Sequence, residues 1–217
     1  MASDLPHLEE LKFDFHIAFS MPCIIPAIGR SRTTLTSISM STIHLFRLDT
    51  NAFIAAMHSC HNLRTIEIKE EPEIIVVGLH AMPEPLSDVE TDGAVAVLRS
   101  FTPSYDGAVP CPHLETFKLE IHCYPCVESN LIASRKSQLA NAALLMIQNR
   151  RTVDSTVKQV QIGVIYRDGW PVNLIEEYGS LSSVLTDHGP VTNADLRNWK
   201  ASGLSFEFRW HRTLYTY

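Results

Sequence analysis

Residues 111–123 read CPHLETFKLEIHC, a run that mixes two thiols, two histidines and a regular beat of apolar side chains. Two readings compete for it: a cluster of zinc ligands, or one turn of a structure that repeats. Its centre, Leu114-Glu-Thr-Phe117-Lys-Leu119, has the form apolar-x-x-apolar-x-apolar. The same form occurs at Leu8-Glu-Glu-Leu11-Lys-Phe13, Leu35-Thr-Ser-Ile38-Ser-Met40, Leu63-Arg-Thr-Ile66-Glu-Ile68 and Val157-Lys-Gln-Val160-Gln-Ile162. Three copies are introduced alike, by LPHL, CHNL and CPHL.

The independent test of this pattern lies at its second, third, fifth and seventh positions, which played no part in choosing the windows. They hold Glu9, Glu10, Lys12 and Asp14; Thr36, Ser37, Ser39 and Ser41; Arg64, Thr65, Glu67 and Lys69; Glu115, Thr116, Lys118 and Glu120; Lys158, Gln159, Gln161 and Gly163. None is a large apolar residue. With 45% of the chain hydrophobic, that agreement arises by chance on the order of once in a hundred thousand draws. Alternation over the last four positions predicts short strands with one buried and one wet face.

The copies start 27, 28, 51 and 43 residues apart. A period of 25–28 lies within the range of leucine-rich repeats, each unit being one strand plus a helical or irregular return. The interval of 51 reads as two units with one degenerate copy, and that of 43 as an insertion or a longer helix. Helices are expected between strands at Thr50–Ser59, Asp92–Phe101 and Ser137–Arg151, the last ending in basic residues that suit a helix C-terminus. Residues 69–73, 83–87 and 102–107 read as loops. After Ile162 the rhythm changes: Ile175–Leu185 and Asn193–Ser202 read as helices and Leu204–Phe208 as a closing strand. The expected architecture is a single α/β domain over residues 1–217, an irregular leucine-rich-repeat-like solenoid with parallel strands. Repeats span about 5–165 and a C-terminal helical and strand cap about 166–217.

LPHLEELKF, CHNLRTIEI and CPHLETFKL, with the helix-glycine-strand finish at residues 195–208, resemble the leucine-rich-repeat region of fungal F-box proteins. The resemblance implies a repeat domain that recruits a target for a ubiquitin ligase through an adaptor-binding F-box. No F-box is expected ahead of the first repeat, because Leu8 already belongs to it. The ninth position, often Asn or Cys in such repeats, holds His16, Ile43, Glu71 and His122 in the first four copies.

Eighteen Lys and Arg against 24 Asp and Glu leave a formal charge of -6, which argues against a grip on phosphate backbones and hence against nucleic acid. Five cysteines, an odd number without dense even spacing, favour a reducing compartment, cytoplasmic or nuclear. The acidic, amphipathic start does not read as a signal peptide, and no apolar run is long enough to cross a bilayer. No catalytic motif stands out, and no cofactor is expected.

These observations point to a non-catalytic module that binds a protein along its wet strand row, through Glu10, Lys12, Arg64, Glu67, Lys69, Glu115, Lys118, Glu120, Lys158 and Gln161. The rival is a small zinc protein or enzyme using Cys111, His113, His122, Cys123 and Cys126. A start directly in a repeat also predicts exposed apolar surface around Leu8, Leu11 and Phe13 and self-association through it. The late aromatics Trp199, Phe206, Phe208, Trp210, Tyr215 and Tyr217 form either a second patch or, for Trp199, Phe206 and Phe208, the core of the cap.

Overall fold

A computed structural model describes residues 8–14, 21–42, 50–70, 89–103, 109–123, 129–153, 156–168, 173–180 and 191–216. Strands and helices alternate along them: β1 (Glu10–Asp14), α1 (Met21–Arg30), β2 (Ser37–Thr42), α2 (Thr50–His58), β3 (Thr65–Glu70), α3 (Val89–Ser100), β4 (Thr116–Cys123), α4 (Ser129–Thr152) and β5 (Gln159–Asp168). Then come β6 (Asn173–Ser180), α5 (Asn193–Ala201) and β7 (Ser205–Thr216). The strands form one sheet in the order β1-β2-β3-β4-β5-β7-β6, in which only β6 runs antiparallel to its neighbour.

The register of the sheet is the register of the sequence copies. Leu11 pairs with Ile38, Ile38 with Ile66, Ile66 with Phe117 and Phe117 with Val160; Phe13, Met40, Ile68, Leu119 and Ile162 make the next row inward. From Ile38 and Met40 onward these side chains are buried, with Leu11 and Phe13 packed against them at the sheet edge. Just before each strand, one carbonyl accepts two N–H groups of the next unit. Glu9 O takes Thr36 N and Ser37 N, Thr36 O takes Arg64 N and Thr65 N, Arg64 O takes Glu115 N and Thr116 N, and Glu115 O takes Lys158 N and Gln159 N, all between 2.7 and 3.1 Å. Side-chain hydroxyls repeat the device, since Thr34 donates to Leu8 O at 2.8 Å and Thr156 to Leu114 O at 3.0 Å.

The helices lie on one face, α1 against α2, α2 against α3 and α3 against α4, in chain order. Ile24 and Ile28 of α1, Phe53 and Met57 of α2, Val97 and Leu98 of α3, and Leu139, Ala143, Met146 and Ile147 of α4 share one core with the inward strand rows. At 24 residues, α4 spans the long interval before β5 and is about 36 Å long. Helix α5 is fixed by a capping box, in which Thr192 Oγ1 accepts from Asp195 N at 3.2 Å and Asp195 Oδ2 from Thr192 N at 2.8 Å.

Several expectations need correction. No degenerate copy stands between Leu63 and Leu114 in the sheet: β4 pairs directly with β3, from Thr65 with Thr116 to Lys69 with Glu120. Residues 175–180 do not start a helix but belong to strand β6, paired with β7 from Asn173 with Thr216 to Ser180 with Arg209; residues 181–185 lie outside the described set. The cause is non-local, because the outer edge of the 12-residue β7 is satisfied by this partner. Gly179 makes the pairing possible: a Cβ there would occupy the space of the Trp210 indole, which lies beneath Lys136 of α4, its Nζ 3.0 Å from the ring centroid. Strand β7, in the region read as cap, takes the next parallel place beside β5, Phe206 opposite Val160 and Phe208 opposite Ile162.

Phe208 is buried, and Trp199, Phe206 and Trp210 pack against the core. Helix α1, with Pro26 inside it, was not foreseen. Residues 71–73, 83–87 and 104–107 of the expected loops lie outside the described set, while Lys69 and Glu70 belong to β3.

The long interval is closed by a buried cation. Arg150, fully buried near the end of α4, donates from Nε to Phe101 O at 2.9 Å and from Nη1 to Cys111 O at 3.3 Å, with Nη2 on Pro110 O. Those carbonyls lie just past the C-terminus of α3 and in the turn before β4, where a positive charge is favoured. Burial lowers the Arg150 pKa to about 10, partly opposed by Cys111. Replacing Arg150 by Met keeps the volume and leaves three acceptors without their donor, each costing about 1–3 kcal/mol. Urea unfolding at neutral pH is expected to show a loss of at least about 3 kcal/mol, with Arg150→Lys intermediate.

Candidate protein-binding face

Opposite the helices, the strands turn their odd rows outward. One row runs Lys12, Ser39, Glu67, Lys118, Gln161, Glu207, and the row two residues further on runs through Ser41, Lys69, Glu120, Gly163 and Arg209. They border a groove of about 610 Å³ that crosses from β1 to β7.

Of the ten residues expected to bind a partner, Lys12, Glu67, Lys69, Lys118, Glu120 and Gln161 line this groove. The other four do not. Arg64, Glu115 and Lys158 form a separate triad at the strand entrances, Glu115 Oε1 lying 3.3 Å from Arg64 Nη1 and Oε2 2.7 Å from Lys158 Nζ. Lys158 above all, with Arg64, holds the Glu115 carboxyl below its ordinary range. Glu10 stands in the row of Ser37 and Thr65, also outside the groove lining.

The alternating signs along the face have a structural cause. Lys118 Nζ lies 2.5 Å from Glu67 Oε1, and Lys69 Nζ 4.0 Å from Glu120 Oε1, so the two pairs cross the same strand step in opposite senses. Gln161 donates to Glu207 Oε2 at 3.0 Å, while Arg209 binds Glu207 Oε1. All are at least one-third exposed or border solvent, where such pairs contribute up to about 1 kcal/mol each. They help select register and are weak enough to be exchanged.

Sequence reasoning missed Glu207, Arg209 and His211 as members of this face, and left Gly163, though at an outward position, out of the binding set. The signal was present, since the alternation of Leu204-Ser-Phe-Glu-Phe208 sets Glu207 and Arg209 beside Gln161 and Gly163 once β7 is laid against β5. Gly163 leaves room for the Glu120 side chain, whose Cγ lies 3.4 Å from the place of an added Cβ.

The Cys/His-rich segment divides differently from the zinc expectation. Cys111, at φ 46°, is buried and points its thiol at Met57 O, 3.3 Å away. Burial pushes that thiol up to about 12, which opposes the thiolate that ligation or nucleophilic attack requires. His113 is exposed on the turn, whereas the side chains of His122 and Cys123, and Cys126 altogether, lie outside the described set. Among the described residues no three His, Cys, Asp or Glu side chains gather as a metal site.

Cys60 occupies the same turn position one unit earlier, its thiol 3.5 Å from Ala56 O. Both are free thiols. Beside them His58 packs edge-on against Phe101, ring centroids 5.5 Å apart, with Nε2 buried and lacking a hydrogen-bond partner.

No protein-family model, curated protein or solved structure matches this chain. Among the described residues no helix is long and apolar enough to cross a membrane.

The His58 environment sets a pH dependence. Burial first, then the Arg150 charge, lowers its pKa, with a backbone hydrogen bond at Ser100 opposing them. The folded state therefore resists a proton that the unfolded chain accepts near 6.5. Stability is complete above that value and falls as pH drops below it, levelling off under the folded-state pKa. Urea midpoints between about pH 7.5 and about pH 5 should decline in the wild type, and His58→Gln should flatten the decline.

Proposed function

We propose that this chain is a non-catalytic recognition domain of the leucine-rich-repeat kind, an irregular solenoid that holds a protein partner on its open strand face. In this reading it acts in the cytoplasm or nucleus, as the target-recruiting part of a ubiquitin-ligase adaptor or a relative of one. Support comes from the LPHLEELKF, CHNLRTIEI and CPHLETFKL resemblance and from a register that matches the sequence copies strand by strand. Free cysteines at 60 and 111 suit a reducing compartment.

The observation that carries the proposal is the groove of about 610 Å³ across the parallel strands, lined by aligned polar side chains together with apolar residues such as Phe13, Met40 and Trp210. A surface of this breadth, with mixed charge and exposed ion pairs, offers many weak contacts in a fixed array, as protein recognition requires. Self-association belongs to the same proposal: Leu8, Leu11 and Phe13 are only half-buried, and β1 is an edge strand of the sheet.

Gly163 gives the most direct test, because a side chain there projects into the groove without changing any charge. Tagged wild type, Gly163→Leu and a helix-face control, Gln138→Ala, would be used to capture proteins from a cell lysate, followed by quantitative mass spectrometry. Partners should be retained by the control and fall at least about tenfold on Gly163→Leu, with thermal midpoints of all three alike. Equal capture by Gly163→Leu would remove the strand face as the docking surface.

A further inference from the structure

The groove gathers four cationic side chains on an acidic molecule. Its lining brings Lys12, Lys69, Lys118 and Arg209 against two carboxylates, Glu67 and Glu120, while the whole chain carries -6. Glu207 stands beside it, held by Arg209. In the centre, Glu67 faces Lys118 and Glu120 faces Lys69, so Lys12 and Arg209 stand outside those pairs at the two ends.

At the β1 end Lys12 has Ser39 as its row neighbour and no ion pair among the described residues. At the β7 end Arg209 meets Glu207 through Nε and Nη2. A guanidinium carries five donors, so Nη1 retains donors for a second carboxylate.

Geometry limits how a partner can lie. Strands β2 to β5 and β7 are paired on both edges, so their backbone groups are spent within the sheet and a guest cannot join as an added strand on this face. Recognition falls to side chains, and therefore to their charge. Five interstrand steps of about 4.8 Å make a strip of roughly 24 Å, the length of an extended peptide of about seven residues.

We propose that the strip takes an extended acidic segment of a partner protein, about seven residues lying across the strands with Asp or Glu side chains toward Lys12 and Arg209. This rests on the strand face being the docking surface. Carboxylates at a few points suit it better than a phosphate backbone, since every lining cation but Lys12 already has a carboxylate within reach and a polyanion of closely spaced charge would meet Glu67, Glu120 and Glu207 as well.

The test is selection from a displayed library of random heptapeptides on the immobilised full chain, each selected peptide being re-measured on Gly163→Leu. The expected result is at least about twofold enrichment of Asp and Glu over the starting library. Binding should be lost on Gly163→Leu, weaken at least about tenfold with Lys12→Gln and Arg209→Gln together, and weaken as salt rises from about 0.05 to about 0.5 M.

Peptides that need the groove but show no acidic preference would overturn this proposal and leave the docking surface standing. Peptides that bind Gly163→Leu equally, or no selected peptide at all, would overturn both. A labelled uridine heptamer bound more tightly than every peptide, and lost on Gly163→Leu, would replace the acidic peptide by nucleic acid.

Discussion

One carbonyl per unit fixes this sheet. The oxygens of Glu9, Thr36, Arg64 and Glu115 each accept two N–H groups from the following unit, and in doing so they align each strand with the next before the strand itself begins. Because side-chain direction alternates with every residue, a slip of one position would turn Ile66, Phe117 and Val160 to water and bring Glu67, Lys118 and Gln161 into the core. Burying a large apolar side chain contributes about 1.5–3 kcal/mol, and each such slip would forfeit several of them at once. The shared carbonyl and the apolar rows thus enforce the same register from two directions.

A one-sided arrangement follows. The helices cover the inward rows, in chain order, and the outward rows are left to meet one another across strand steps. Their charges must tolerate neighbours in the sheet, as Glu67 does with Lys118, and they stay open to solvent while doing so. Exposed pairs of this kind are weak and exchange readily with solvent. The buried Arg150 behaves in the opposite way. Arg150 is dry, satisfied by three carbonyls and fixed, and its work is to hold the end of α3 to the turn that introduces β4.

Much of this was legible in the sequence because the strands announce themselves through a two-residue alternation that recurs in one register. The inward and outward residues of β1 to β5 followed from that, and the helices near Thr50, Asp92 and Ser137 from apolar sets and end signals at helical spacing between the strands. Features governed by distant partners were not legible. The run Ile175-Glu-Glu-Tyr178 reads as helical by itself and becomes a strand because β7 has an edge to satisfy. Helix α1 was hidden by Pro22 and Pro26, of which Pro26 is exposed and so removes a backbone bond without disturbing the packed side. Arg150 read as a cation suited to a helix end; its burial depends on carbonyls 39 to 49 residues away, which no local pattern encodes. The wet row was read as one surface, and it divides because Arg64, Glu115 and Lys158 satisfy one another at the strand entrances.

The unequal return paths have a consequence for how such a chain can change over time. β2 and β3 are joined through 28 residues from one copy to the next and β3 and β4 through 51, yet the pairing across the second junction matches that across the first residue for residue. Doubling a flexible connection costs only about 0.6 kcal/mol in closure entropy, less than a single well-buried leucine returns. The crossovers are therefore permissive to insertion, and new chain can be spliced onto the rim of the molecule while the strand lattice beneath it keeps its alignment.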